Sequence, residues 1–134
     1  MPANGSVIDT NVITKMLAND KSAIDLLKRI NKAYVALPVV GELFYGAEKS
    51  TRRQENLILF EQVLSDFEIL PMTKSTAKCY AALKAKLVKS GNNIPDNDIW
   101  IAAVAYENGF SVTSFDSHFA FIEDIELVTV NNWV

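Results

Sequence analysis

One cysteine and one histidine among 134 residues leave little material for thiol or imidazole catalysis. Cys79 cannot form a disulfide within the chain, and its helical spacing to Ala82, Leu83 and Leu87 points to packing. His118 is assigned a surface or packing role. No apolar run approaches the roughly 20 residues that span a bilayer, so no membrane association is expected. Met1-Pro2-Ala3-Asn4-Gly5 enters the first apolar run with neither a basic start nor a signal core, which points to the cytoplasm. Positive charge is scarce as well: 13 Lys and Arg against 16 Asp and Glu give a net charge of −3. Such a balance speaks against general electrostatic attachment to nucleic acid, while leaving room for local basic patches and a bound cation. Repeats, low-complexity tracts and linkers are missing, and the length suits one domain over residues 1–134. The most telling absence is local: no lysine or arginine lies within five positions of Asp98 or Asp116.

What is present is an alternation of short apolar runs and amphipathic stretches. Ser6-Val7-Ile8 reads as a buried strand that gives way at Asp9-Thr10-Asn11 to a helix with Val12, Ile13, Met16 and Leu17 on one face. After a turn at Asn19-Asp20, a second helix has Ile24, Leu27 and Ile30 facing inward. Ala33 to Leu37 is a second strand closed by Pro38, a residue suited to the first turn of the helix that follows from Val39. Leu57, Phe60, Val63 and Leu64 mark a further helix, and Phe67 to Leu70 a third strand. Thr73 to Ser90 carries Ala77, Tyr80, Leu83 and Leu87 at helical spacing and stops at Gly91. Asp96 or Asn97 is placed to cap the next helix, whose Ile99 to Tyr106 segment is apolar all round, as a helix running through the core requires. Beyond Asn108-Gly109, Phe110 to Ser114 forms a fourth strand, His118 to Ile122 a short helical turn, and Glu126 to Val130 a fifth strand. The alternation specifies a three-layer α/β/α fold with a mostly parallel sheet of about five strands. Sheets of this kind bind ligands at the carboxyl ends of strands, where neighbouring connections diverge.

Four acids sit at the boundaries of these segments. Asp9 ends the first apolar run, Glu42 interrupts the stretch Leu37 to Tyr45, Asp98 precedes Ile99 to Tyr106, and Asp116 follows Phe110 to Phe115. Each belongs to a different element, so only the fold brings them together. Like charges gathered without basic partners repel unless a divalent cation neutralises them. Any one of these acids alone reads as a helix cap or a solvated end, but the four together point to a pocket for Mg²⁺ or Mn²⁺, hard cations that take oxygen ligands. Such a pocket, with one ion or two, polarises a phosphodiester and activates water for in-line displacement. Thr10, Asn11 and Ser114 stand beside the acids, where they either orient carboxylates and water or act as caps and turn residues. Trp100 and Tyr45 lie in apolar runs and are assigned to the core.

The blocks Val7-Ile8-Asp9-Thr10-Asn11-Val12, Val40-Gly41-Glu42-Leu43-Phe44-Tyr45-Gly46-Ala47 and Asn97-Asp98-Ile99-Trp100-Ile101-Ala102-Ala103 are followed by Val112 through Phe119, which contains Ser114-Phe115-Asp116. In order and spacing, over nearly the whole chain, they resemble the PIN-domain ribonucleases, specifically the VapC toxins of bacterial toxin–antitoxin pairs. Each block alone is a weak signal. The resemblance implies a PIN fold, Mg²⁺- or Mn²⁺-dependent endoribonuclease activity by metal-activated water, inhibition by a small VapB-like antitoxin, and a homodimer. It makes Asp9, Glu42 and Asp98 the central metal ligands and catalytic acids, with Asp116 the more variable fourth. Asp96 competes with Asp98 for its place, and the block around Asn97-Asp98 favours the latter, leaving Asp96 as a cap. Lys49, Arg52 and Arg53, after the Glu42 helix, either hold RNA phosphates or form a solvated loop.

Two other classes use acids in similar places. A dehalogenase-like phosphatase needs Asp-x-Asp after its first strand, where position 11 here is Asn, and a receiver domain needs a lysine late in the sheet, which the fourth strand lacks. A PIN-like binding module without activity is the other alternative, and the presence of all four acids weighs against it.

Overall fold

The protein's structure, a computed structural model, describes residues 5–129. Strands β1 (Ser6–Ile8), β2 (Ala33–Ala36), β3 (Glu68–Leu70), β4 (Ser111–Thr113) and β5 (Leu127–Val128) form one sheet in the order β3-β2-β1-β4-β5, every pairing parallel. Helices α1 (Thr10–Leu17) and α2 (Lys21–Leu27) connect β1 to β2, α3 (Leu37–Glu48) and α4 (Arg53–Leu64) connect β2 to β3, and α5 (Lys74–Lys89) and α6 (Asp96–Asn108) connect β3 to β4. A short 3₁₀ helix, Ser117–Phe121, precedes β5. Every residue of β1 and β4 is buried. Since successive side chains of a strand point to opposite faces, both faces of the sheet centre are covered, which gives the expected three layers.

The core forms around α6, where Ile99 and Ile101 to Ala105 are all buried and the helix packs on β1, β2 and β4. Ala102, Ala103 and Ala105 are small enough to let its backbone come close to the sheet. Gly109 ends the helix in the left-handed region (φ 70°), with the Phe110 N–H returning to the Ala105 carbonyl at 2.9 Å, an arrangement only glycine enters without strain. Between β1 and β4 runs a buried hydroxyl chain: Ser111 Oγ donates to Ser6 Oγ at 2.8 Å, and Ser6 Oγ lies 2.6 Å from Thr113 Oγ1. Gly5 passes beneath the stacked rings of Tyr34 and Phe110, where a Cβ would stand 2.7 Å from Tyr34 and 2.9 Å from Phe110.

Several sequence expectations shift. In α2 the buried residues are Ala23 and Leu26, Ile24 is 36% exposed, and Ile30 lies past the helix end. Helix α3 starts at Leu37 rather than Val39, with Pro38 in its first turn. Of the four apolar positions expected to face inward on α4, only Leu64 is buried, and on α5 Thr76 takes the place expected of Ala77. Neither Asp96 nor Asn97 caps α6, because the N-cap position is Pro95 (φ −54°, ψ 140°) and Asp96 turns to Lys84 and Tyr80, each 2.8 Å away. Val130, expected at the end of β5, lies outside the described residues.

Candidate active site

From β1 the chain adds β2 and β3 on one side of the sheet, then crosses to add β4 and β5 on the other. The carboxyl ends of β1 and β4 therefore open into a crevice. Asp9 follows β1 directly, and Ser114-Phe115-Asp116 follows β4. Glu42 comes from α3, and Asp98 from the first turn of α6, where the helix N-terminus favours an acid.

Polar contacts hold the two strand exits together. Asp9, only 6% exposed, caps α1 by accepting the Thr10 N–H on Oδ1 at 2.8 Å. Its Oδ2 accepts the Ser114 hydroxyl at 2.7 Å and the Asn11 amide at 3.5 Å. Ser114 Oγ in turn accepts the Asp116 N–H at 2.9 Å and the Asn11 amide at 3.3 Å, while Asn11 Oδ1 accepts the Phe115 N–H at 3.2 Å. Thr10 reaches the other way, donating its hydroxyl to Glu42 Oε1 at 3.0 Å. The three short polar residues thus cap and turn the chain and also orient carboxylates, so the two roles coincide.

Asp116 caps the 3₁₀ helix, its Oδ1 accepting the His118 N–H at 2.9 Å. This turn brings the imidazole back over the acids, with Nδ1 3.0 Å from Asp116 Oδ2 and 3.4 Å from Asp98 Oδ2. Asp98, Asp116 and His118 each offer a donor atom within 4.8 Å of the others. Asp9 and Glu42 stand outside this tight trio but feel its charge. Burial pushes the Asp9 carboxyl above its ordinary range, the Ser114 and Thr10 hydrogen bonds pull it back, and the charge of Asp116 raises it again. Glu42 is raised by burial, lowered by Thr10, raised by Asp9 and Asp98, and lowered by Asn97. Burial and then Asp9 raise Asp98, while His118 opposes them and Asp116 adds to them. Among the described residues, His118 is the only basic group in an ion pair with any of the four acids.

Two assignments change. His118, expected on the surface or in packing, stands among the acids; the signal was its position two residues after Asp116, since a capping aspartate accepts the N–H of residue i+2 and folds that residue back over itself. Tyr45, expected in the core, is 65% exposed, because the buried stripe of α3 runs through Val39, Leu43 and Ala47 and leaves Tyr45 on the Glu42 side. Trp100 is half-buried and stacks on Tyr80 with ring centroids 3.9 Å apart. The basic segment is engaged locally: Arg52 pairs with Glu55 at 2.7 Å, Arg53 with Glu48 at 2.6 Å, and Lys49 lies over the Tyr45 ring. No helix among the described residues is long and apolar enough to cross a membrane.

Residues 6–124 match the family model of the PIN domain, and the chain belongs to that family. Within it, the chain is 33% identical over 132 residues to Ribonuclease VapC2 of Haemophilus influenzae, covering 96% of this chain and 97% of the relative. Its fold is similar to that in the crystal structure of VapBC2 from Rickettsia felis bound to a promoter DNA fragment, with a TM-score of 0.84, 23% identity and coverage of 97% and 99%. VapBC-5 from Mycobacterium tuberculosis, a member of the VapBC toxin–antitoxin family, matches with a TM-score of 0.79 at 26% identity, covering 95% of this chain and 99% of the solved one.

Proposed function

We infer that this chain, as one PIN unit over residues 1–134, is an endoribonuclease that hydrolyses RNA phosphodiester bonds and serves as the toxin of a toxin–antitoxin pair. The observation that carries the reading is the meeting of Asp9, Glu42, Asp98 and Asp116, from four separate elements, at the open end of β1 and β4 without a lysine or arginine among them. Three of these carboxyls are held above their ordinary range, as expected of a site shaped for a cation. Oxygen donors of this number and charge fit Mg²⁺, or Mn²⁺ in its place. The bound ion supplies charge neutralisation and an activated water at a phosphodiester. The chain's own part is positional: Ser114 and Asn11 fix Asp9, Thr10 fixes Glu42, and the 3₁₀ cap fixes Asp116.

Lys49, Arg52 and Arg53 are exposed and hold RNA phosphates by exchanging their local partners, a contact that supplies affinity without sequence reading. A VapB-like antitoxin silences the toxin by laying a peptide across the acids and offering them an arginine or lysine in the cation's place. The toxin works as a homodimer in the cytoplasm. Expression of the chain alone is expected to arrest growth, and Asp9→Asn and Asp98→Asn to relieve the arrest while remaining folded. Full toxicity of both variants at equal abundance would show that the acids are not the working site.

A further inference from the structure

The imidazole of His118 occupies the point at which two carboxylates aim, its Nδ1 3.0 Å from Asp116 Oδ2 and 3.4 Å from Asp98 Oδ2. Its position is fixed from both directions along the chain. Asp116 Oδ1 holds the His118 N–H, and Phe119, the next residue, is fully buried. The side chains of His118, Asp98 and Asp116 are 43%, 15% and 34% exposed, so the trio is open to solvent mainly on the imidazole side. Two ligands at right angles on an ion about 2.1 Å from each stand about 3.0 Å apart. The two nitrogen-to-carboxylate spacings are close to that value, and the donor atoms of all three residues lie within 4.8 Å of one another.

Resting on the metal reading above, we propose that His118 Nδ1 is a direct donor to the divalent ion, so that Asp98, Asp116 and His118 hold it through a mixed nitrogen and oxygen set. Asp9, at the exit of β1, and Glu42, on α3, remain carboxylates of the same site. Donation from Nδ1 needs the neutral imidazole tautomer with its proton on Nε2. Magnesium prefers oxygen ligands, whereas an imidazole nitrogen strengthens binding to first-row transition ions. The chain therefore favours Mn²⁺ over Mg²⁺ by more than a site of carboxylates alone.

Mn²⁺ itself is the probe, used on the untagged full chain labelled with ¹⁵N at histidine. His118 is the only histidine, so any imidazole coupling to the bound ion belongs to it. Electron paramagnetic resonance titration counts bound Mn²⁺, and electron spin echo modulation reads the nitrogen. The expected result is an imidazole coupling in wild type that is absent in His118→Asn and His118→Gln, both shown to be folded by thermal melts. Both variants lose Mn²⁺ affinity by about tenfold or more and Mg²⁺ affinity by a smaller factor. Stoichiometric Mn²⁺ without nitrogen coupling, or an unchanged Mn²⁺ to Mg²⁺ ratio in the variants, overturns the role of His118 and leaves the acid site standing. Failure of wild type to bind Mn²⁺ while binding Mg²⁺ overturns the role of His118, and failure to bind either ion overturns both.

Discussion

Asp98 shows how the fold treats its acids. Burial and the charge of Asp9 hold its carboxyl above the ordinary range, so the folded chain keeps this proton to higher pH than the unfolded chain does. Stability from that preference is fully present below the unfolded value and is lost as pH rises through the raised folded value. Asp9 and Glu42 share the sign. The chelated chain is therefore expected to gain stability from these groups on acidification through that window, and Asp98→Asn to lose part of the gain. Urea melts of both proteins in chelator, repeated from pH 7 downward, check it. Parallel pH profiles would show that Asp98 titrates alike in both states. The acids themselves stood out in the sequence, because each is a carboxylate at the edge of an apolar run, and Asp98 and Asp116 have no lysine or arginine within five positions. His118 was legible only in part: its place two residues after Asp116 signals the cap, whereas its approach to Asp98 depends on a fold contact between residues 20 positions apart.

Among the elements, the join between the ends of β1 and β4 decides the geometry of the site. Ser114 Oγ, on a fully buried residue, gives one hydrogen bond to Asp9 and receives two, from the Asp116 N–H and the Asn11 amide. Ser114→Ala leaves the part-buried Asp116 N–H without its acceptor and removes the buried bond to Asp9, and is expected to cost about 1–3 kcal/mol. Denaturant melts measure the loss, and weaker ion binding is expected with it, because Asp9 and Asp116 lose their common anchor. Unchanged stability and ion affinity would mean that solvent replaces the hydroxyl freely. Periodicity located nearly every element but misjudged some faces. On α2 it chose the bulky Ile24, which is 36% exposed, over the small Ala23, which is fully buried. On α5 it passed over Thr76 because that residue is polar, yet its hydroxyl is satisfied by Glu107 at 2.6 Å and by the Thr73 N–H at 2.9 Å, which lets it lie in the core.

For the whole molecule, the alternation of strands and helices sufficed to specify a parallel sheet, because parallel neighbours need long crossovers and the chain supplies helices between β1, β2, β3 and β4. The strand order, which sets the crevice between β1 and β4, was not readable, since it depends on which side of β1 each later strand joins. That order brings four like charges together at the expense of the metal-free fold. A cation that binds only the folded chain adds about 2.7 kcal/mol at a hundred times its dissociation constant. For a domain of this length, that is a rise in Tm on the order of 10 °C. Asp98→Asn removes both the repulsion and a ligand, so its two effects have opposite signs. In chelator the variant is expected to melt above wild type, and in saturating Mg²⁺ or Mn²⁺ below it, with the order reversing at an ion concentration near the wild-type dissociation constant. Thermal melts across an ion titration reveal the crossing. Curves that keep one order throughout would separate the raised carboxyls from cation binding and leave the acids as caps and hydrogen-bond acceptors alone.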